Sequence, residues 1–397
     1  MNAARETLSA FRAEVSQWLA TNIPLDWKAR QRGDDINGFL EMQREWLQRL
    51  VSAGYATPHW PKEWPGGGRP LAEQVVIFEE IARSDAPRMV LYFISLYHTA
   101  MTLIEYGTQA QKERHLPAIL KGEVWCQGFS EPSAGSDLAS LRTKAERRGD
   151  HYVVTGQKIW STFGHHADFC LLLVRTDNSG PKQAGITFLL MDMKSKGIEV
   201  RPIRQITGDE EFAELFLDGV EIPVENRVGE ENQGWMVAQT TLASERGLAI
   251  LELSERMYHS LWRLVSLATG NGEMADRLDG DVRRQIVDVA TRIEALRELV
   301  GTLISNRIAG KEILGDASII KLAYARIARE LTSLGLRLSG ITGQRWEQYT
   351  LGAGYETGNW MFDFMNSYQY NIAGGSNEIQ RNIISERVLM MPRESQR

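Results

Sequence analysis

Three stretches of the chain combine residue types that could hold a planar, charged ligand. Gly128-Phe129-Ser130-Glu131-Pro132-Ser133-Ala134-Gly135-Ser136-Asp137 concentrates small and hydroxylic residues, so backbone N–H groups and Ser hydroxyls can come close to a flat polar molecule. A plain Ser/Gly loop has the same composition. In Gly156-Gln157-Lys158-Ile159-Trp160-Ser161-Thr162 a large aromatic face and a short hydroxyl, Trp160 and Thr162, stand two residues apart with Ser161 between them. That pair suits covering a heteroaromatic ring and hydrogen-bonding its edge, although a strand-end Trp packed in a core reads the same way. Ile372-Ala373-Gly374-Gly375-Ser376-Asn377-Glu378-Ile379-Gln380-Arg381-Asn382 reads as a glycine turn, a Ser N-cap and a new helix, whose exposed N–H groups attract anions.

Other chemistries lack their signatures. The sequence has no G-x-x-x-x-G-K, G-x-G-x-x-G, H-E-x-x-H or G-x-S-x-G. Adjacent His165 and His166 cannot present both rings to one metal as an i, i+4 helical pair would, so no metal site is expected. Cys126 and Cys170 sit among apolar residues without C-x-x-C spacing and fit a reducing compartment.

The elements that must carry these segments change texture twice. From Arg5 to about Val124 apolar residues recur at helical spacing, as in Phe39, Met42, Trp46 and Leu50 before Gly54, and Pro58–Gly68 forms a loop. From Trp125 to about Asn232 short strand-like runs take over, among them Cys170–Val174, Ile186–Leu190 and Leu215–Leu217. Asp218-Gly219 predicts a tight hairpin there. Helical periodicity returns after Gly234, with Ile286, Val289, Ile293, Leu296, Val300 and Leu303 on one face. The expected fold is mainly α with a central β domain: an N-terminal helical domain (1–124), a middle β domain (125–232) and a C-terminal helical bundle (233–397).

With 397 residues, 43% of them hydrophobic and 24% charged, the chain should bury more than one core. A net charge of −6 with scattered basic residues argues against a nucleic-acid partner. The lack of a long apolar run or a leader-like start argues against membrane insertion and for a cytoplasmic protein.

Taken together, the three segments resemble the acyl-CoA dehydrogenase family in order, spacing and context over nearly the whole chain. Further matches are Tyr106-Gly107-Thr108, His115-Leu116-Pro117, Gly185–Phe188, Val228-Gly229 and Gly234-Trp235. Residues 373–382 look most like the large subunit of bacterial pimeloyl-CoA dehydrogenase and its relatives. The resemblance implies a middle β-barrel or sandwich, a C-terminal four-helix bundle, and FAD between them. On matching positions Phe129, Ser130 and Ser136 would touch FAD and the acyl-CoA. Trp160, Ser161 and Thr162 would flank the isoalloxazine, and Ser376 and Glu378 would reach the adenosine side.

Abstracting an α-proton from a thioester needs a carboxylate aimed at Cα. Most of the family carries it where this sequence has Gly374. A minority places it on a bundle helix before an arginine, which matches Glu245-Arg246, so the resemblance implies Glu245 as base with Arg246 ordering the site. A solvated helix pair is the other reading of those two residues. Gly374 keeps a backbone N–H for the thioester carbonyl, and Gly374 with Gly375 could widen the acyl pocket. The family's Arg-x-x-Phe-Gly motif is missing near residues 268–272, leaving Arg277, Arg283 and Arg284 as substitutes. The implied activity is dehydrogenation of an acyl-CoA to the trans-2-enoyl-CoA with electrons passed to an electron-transfer flavoprotein. Expected assemblies are a homodimer, a homotetramer or an α2β2 heteromer with a related subunit. A flavin oxidase or monooxygenase, or a weakly catalytic subunit, is the alternative.

Overall fold

The structure, a computed structural model, describes residues 2–31, 35–244, 249–270, 279–311, 313–345 and 357–392. Helices α1 (Asn2–Asn22), α2 (Trp27–Arg30), α3 (Ile36–Ser52), α4 (Leu71–Arg83), α5 (Ala100–Tyr106) and α6 (Gln109–Leu120) precede the strands. The apolar spacing in α3 does what it predicts, since Phe39, Met42, Trp46 and Leu50 are all buried. Gly54 ends that helix in a left-handed conformation at φ +72°, which a Cβ would disfavour. A π-helical turn, Ile94–Thr99, leads into α5.

Strands β1 (Trp125–Gly128), β2 (Lys144–Arg148), β3 (His151–Thr162), β4 (Phe169–Arg175), β5 (Ile186–Asp192), β6 (Ile198–Ile203), β7 (Phe212–Pro223) and β8 (Arg227–Val228) follow. They form one sheet in the order β6-β7-β3-β2-β4-β5-β8, with β1 parallel to β4 beside that path. β4 is buried along its whole length because both faces of the sheet are covered. One face shares a core with the N-terminal helices, through Trp46, Trp60, Trp125, Phe129, Leu171 and Phe188. The other face packs Cys126, Tyr152, Val154, Cys170, Leu189 and Leu215.

The hairpin expected at Asp218-Gly219 is not there. Both residues lie inside β7, where Val154 pairs Val220 and Gly156 pairs Leu217, so two residues of β7 oppose Thr155. Gly219 takes φ +64° and donates its N–H to Thr155 Oγ1 at 3.2 Å. A glycine-dependent bulge and a two-residue turn need the same positive φ, and a short sequence signal does not separate them.

After the sheet, α7 (Gly234–Ser244) lies on β5 and α5. Helices α8 (Ala249–Thr269), α9 (Gly280–Ile308) and α10 (Asp316–Ser339) then pack on one another, with α11 (Trp360–Asn366) and α12 (Asn377–Ile383) laid on α10. Their core holds Val289, Ile293, Leu296, Val300 and Leu303 of the predicted face, with Ile286 packed at its margin. The bundle meets the N-terminal helices along α4 and α8, where Arg88 and Arg256 donate to Glu252 at 3.3 and 2.9 Å.

Candidate functional site

The first two sequence segments meet directly. β1 delivers Phe129 and Ser130 to the end of the sheet, and the N–H of Ile159 on β3 donates to the carbonyl of Ser130 at 3.0 Å. Beneath that contact Lys158 Nζ donates to Glu131 at 2.9 Å and to the carbonyl of Phe129 at 3.1 Å, with the lysine side chain fully buried. Glu131 also accepts the N–H groups of Arg142 and Thr143, at 2.7 and 2.8 Å. Burial pushes the Glu131 carboxyl upward, but Lys158 and the Thr143 donors outweigh it and hold the group below its ordinary range.

Beyond Lys158 the strand bulges. The β3–β7 register shifts between Lys158 and Ser161, and Trp160 is forced to φ +63°. The residue stays 54% exposed, and its ring meets Phe212 edge-on, with centroids 5.9 Å apart. A bulky residue in the left-handed region with half its surface in solvent is costly, and such outliers mark sites more than cores. Thr162, partly exposed, pairs with Phe212. Ser161 faces inward, fully buried, and its Oγ has no hydrogen-bond partner among the described residues. The ring of Phe129 closes the inner wall edge-on to Phe188 at 5.9 Å. Thus Phe129, Ser130, Trp160, Ser161 and Thr162 share one corner, while Ser136 lies exposed further out on the loop.

The third segment sits elsewhere in the chain. Gly374 and Gly375 have φ +65° and +83°, as the glycine turn requires, and Ser376 caps α12 by accepting the N–H of Ile379 at 3.3 Å. Gln380 Nε2 donates to the carbonyl of Gly374 at 2.8 Å, Lys321 of α10 donates to Asn377 at 3.0 Å, and exposed Glu378 pairs with Arg381 at 3.3 Å. These partners all lie on α10 or within the segment itself. Glu245 and Arg246, the expected base and its neighbour, lie outside the described residues, as does Arg277; Arg283 and Arg284 are exposed on the first turn of α9.

Sequence reasoning passed over the charges at this corner. Glu131 and Lys158 stood inside the quoted motifs with no role assigned to them. Glu211, whose carbonyl accepts the N–H of Phe163 at 2.7 Å, has its carboxyl pushed up to about 7 by burial and by Asp209, with Arg88 opposing. The residue before Phe212 in the chain is therefore a carboxyl raised toward neutrality. The rings of His165 and His166 meet tilted by 51° with centroids 4.1 Å apart, and burial lowers both, His165 to about 4, so both rings are neutral. Among the described residues no group of His, Cys, Asp and Glu could hold a metal ion, and no helix is long and apolar enough to cross a membrane.

A helical–β–helical chain with this corner at the sheet end defines a class. The N-terminal, middle and C-terminal domains of acyl-CoA dehydrogenases match residues 5–123, 126–220 and 232–389. The chain belongs to the acyl-CoA dehydrogenase family and is an oxidoreductase of that family. Acyl-CoA dehydrogenase IpdE1 of Mycolicibacterium smegmatis is 39% identical, over 97% of this chain and 98% of that protein. A solved structure described as the Tcur3481-Tcur3483 steroid ACAD superposes with TM-score 0.84 at 30% identity, covering 98% of both chains. The ChsE4-ChsE5 complex from Mycobacterium tuberculosis gives TM-score 0.82 at 28% identity, covering 98% of both. These relatives replace the pimeloyl-CoA dehydrogenase likeness expected from residues 373–382, a stretch of ten residues being too short to outweigh the rest of the chain.

Proposed function

We propose that the protein uses FAD to oxidise the Cα–Cβ bond of a bulky acyl-CoA thioester to the trans-2-enoyl-CoA, and passes the electrons to an electron-transfer flavoprotein. The observation that carries this reading is the strained, half-exposed Trp160 ring at the β3 bulge, with Thr162 and Ser130 beside it. The donor set fits the cofactor: a flat aromatic face, two hydroxyl side chains and a glycine- and serine-rich loop, which suit an isoalloxazine and its phosphates. The reading divides the chain into working units at 1–124, 125–232 and 233–397.

In this reading FAD, when bound, supplies the hydride acceptor for Cβ. The remaining work falls to the chain. Glu245 takes the α-proton and Arg246 orders its surroundings, since the position usual for the base is Gly374. The Gly374 N–H holds the thioester oxygen as charge develops on it. Trp160 and Phe129 exclude water from the ring face, Thr162 fixes its edge, and Ser136 steadies the phosphates; Ser161, expected beside the ring, is turned inward by the strand alternation and lies behind that edge. Ser376 and Glu378 hold the adenosine side. Their partners on α10 leave that segment apart from the sheet corner, which supports a site completed by a second subunit.

The acyl group we propose is polycyclic or steroid-derived. Glycines at 374 and 375 leave room, and the Tcur3481-Tcur3483 relative is described as a steroid ACAD. That relative and the ChsE4-ChsE5 complex are both described as pairs of chains, which supports an α2β2 heteromer over a homo-oligomer. Anaerobic titration with straight, branched, cyclic and steroid-side-chain CoA thioesters tests the function, alone and with a co-expressed related subunit. Bleaching of the flavin band by the cyclic and steroid thioesters is expected; a preference for short straight chains counts against the acyl assignment, and no bleaching by any thioester overturns the function.

A further inference from the structure

The buried Lys158–Glu131 pair stands behind the corner and joins three stretches of backbone. Lys158 Nζ reaches the Phe129 carbonyl and the Glu131 carboxylate, and that carboxylate in turn accepts the N–H groups of Arg142 and Thr143. The whole loop from Phe129 to Thr143, which carries Ser130 and Ser136, is thereby tied to the strand that presents Trp160. A second buried cation finishes the clamp: Arg175 donates to the carbonyls of Ala139 at 2.6 Å, Leu141 at 3.3 Å and Lys182 at 2.5 Å.

Burying an ion pair is an inefficient way to gain stability. The desolvation of two charges rivals their attraction, and well-packed neutral groups of similar volume often serve as well or better. Burial lowers the Lys158 ammonium to about 8 even though Glu131 pulls it the other way, so the desolvation is not fully repaid. What a neutral pair cannot supply is a single register. A lysine has three donors and a carboxylate has several acceptor positions, and here they satisfy the loop backbone in one arrangement.

We infer that Lys158 and Glu131 are positioning residues of the flavin site, setting the distance between the Ser130 edge and the Trp160–Thr162 edge. The inference rests on the flavin reading above. It adds a division of labour: the pair fixes the geometry of the cleft, and the fold stands without it.

The test compares the holoenzyme, in its natural assembly, with Glu131→Gln and with Glu131→Gln/Lys158→Met. The double variant removes both charges, keeps an amide oxygen for the Thr143 N–H and nearly preserves volume. Expected are a thermal midpoint within about 4 °C of the parent, FAD affinity lower by about tenfold or more, and a shifted flavin reduction potential. The rate of flavin reduction should fall by about 100-fold, as for a misplacement near 1 Å. Glu131→Gln alone leaves the buried Lys158 ammonium without its counter-charge and should be the less stable of the two variants, with flavin affinity and reduction rate no better than those of the double variant. Parental affinity, potential and rate in the double variant overturn the inference, as does unfolding of both variants, which would make the pair a stability element. If the unsubstituted protein binds no FAD, the flavin reading itself fails, and that outcome is visible before any variant is made.

Discussion

Ile159 and Ser130 share a backbone hydrogen bond of 3.0 Å between residues 29 positions apart. That bond places a hydroxylic loop edge next to an aromatic strand edge. Both edges are distorted to achieve it: the loop folds back on itself through reciprocal bonds between Glu131 and Ala134, at 3.1 and 3.0 Å, and the strand bulges at Trp160. The flavin reading proposed above gives this distortion a purpose, and it leads to measurable consequences.

Trp160→Gly separates function from stability. Releasing a left-handed non-glycine conformation gains about 1–2 kcal/mol, and losing the edge contact with Phe212 costs about 0.5–1.5 kcal/mol. The two nearly cancel, so chemical denaturation should show a change under about 1 kcal/mol while FAD affinity drops at least tenfold. A loss above about 3 kcal/mol would place the ring among the core residues instead.

Glu252 gives the opposite result. Burial pushes its carboxyl upward, but Arg256 and Arg88 prevail and keep it ionised. Glu252→Ala leaves two guanidinium groups facing each other at the junction of α4 and α8, one of them also donating to the Ala86 carbonyl at 2.9 Å. The expected loss is about 3–5 kcal/mol in guanidinium unfolding. A cost under about 1 kcal/mol would show that solvent screens the cluster.

Asp363 predicts a pH dependence. Burial raises its carboxyl to about 7, against the Thr357 N–H and hydroxyl that bond it at 3.0 and 2.9 Å. An acid raised in the folded state holds its proton there after the unfolded chain has lost it. Its contribution to stability therefore falls as pH rises from about 4 to about 7 and stays low above that. Asp363→Asn keeps the acceptor oxygen and removes the titration, so it should flatten the decline between pH 5 and 8 and exceed the parent in stability at pH 8. Parallel stability curves for the two proteins would refute the assignment. Glu211, raised for the same reason, contributes a slope of the same sign that the variant retains.

Much of this was legible in the residues. The helical faces through Phe39–Leu50 and Val289–Leu303 are local patterns, and local patterns survive folding when a core lies on the matching side. The strand runs were legible for the same reason. Asp218-Gly219 misled because left-handed glycine serves a turn and a bulge equally. Lys158 and Glu131 were visible as letters but not as partners, since nothing in a linear sequence shows that a charge 27 positions away will be buried with it. Glu211 escaped because its environment is assembled from the sheet and from Arg88 of the N-terminal region, and its shift exists only in the fold.

The central claim is that a carboxylate borne by the chain between α7 and α8 takes the α-proton. Its most direct test is the visible spectrum of Glu245→Gln holoenzyme under anaerobic addition of a substrate that bleaches the parent. The account predicts that FAD stays bound and its absorbance band is unchanged over many parental turnover times. Bleaching at a rate within about tenfold of the parent would contradict it, because loss of an essential general base costs about 100-fold or more.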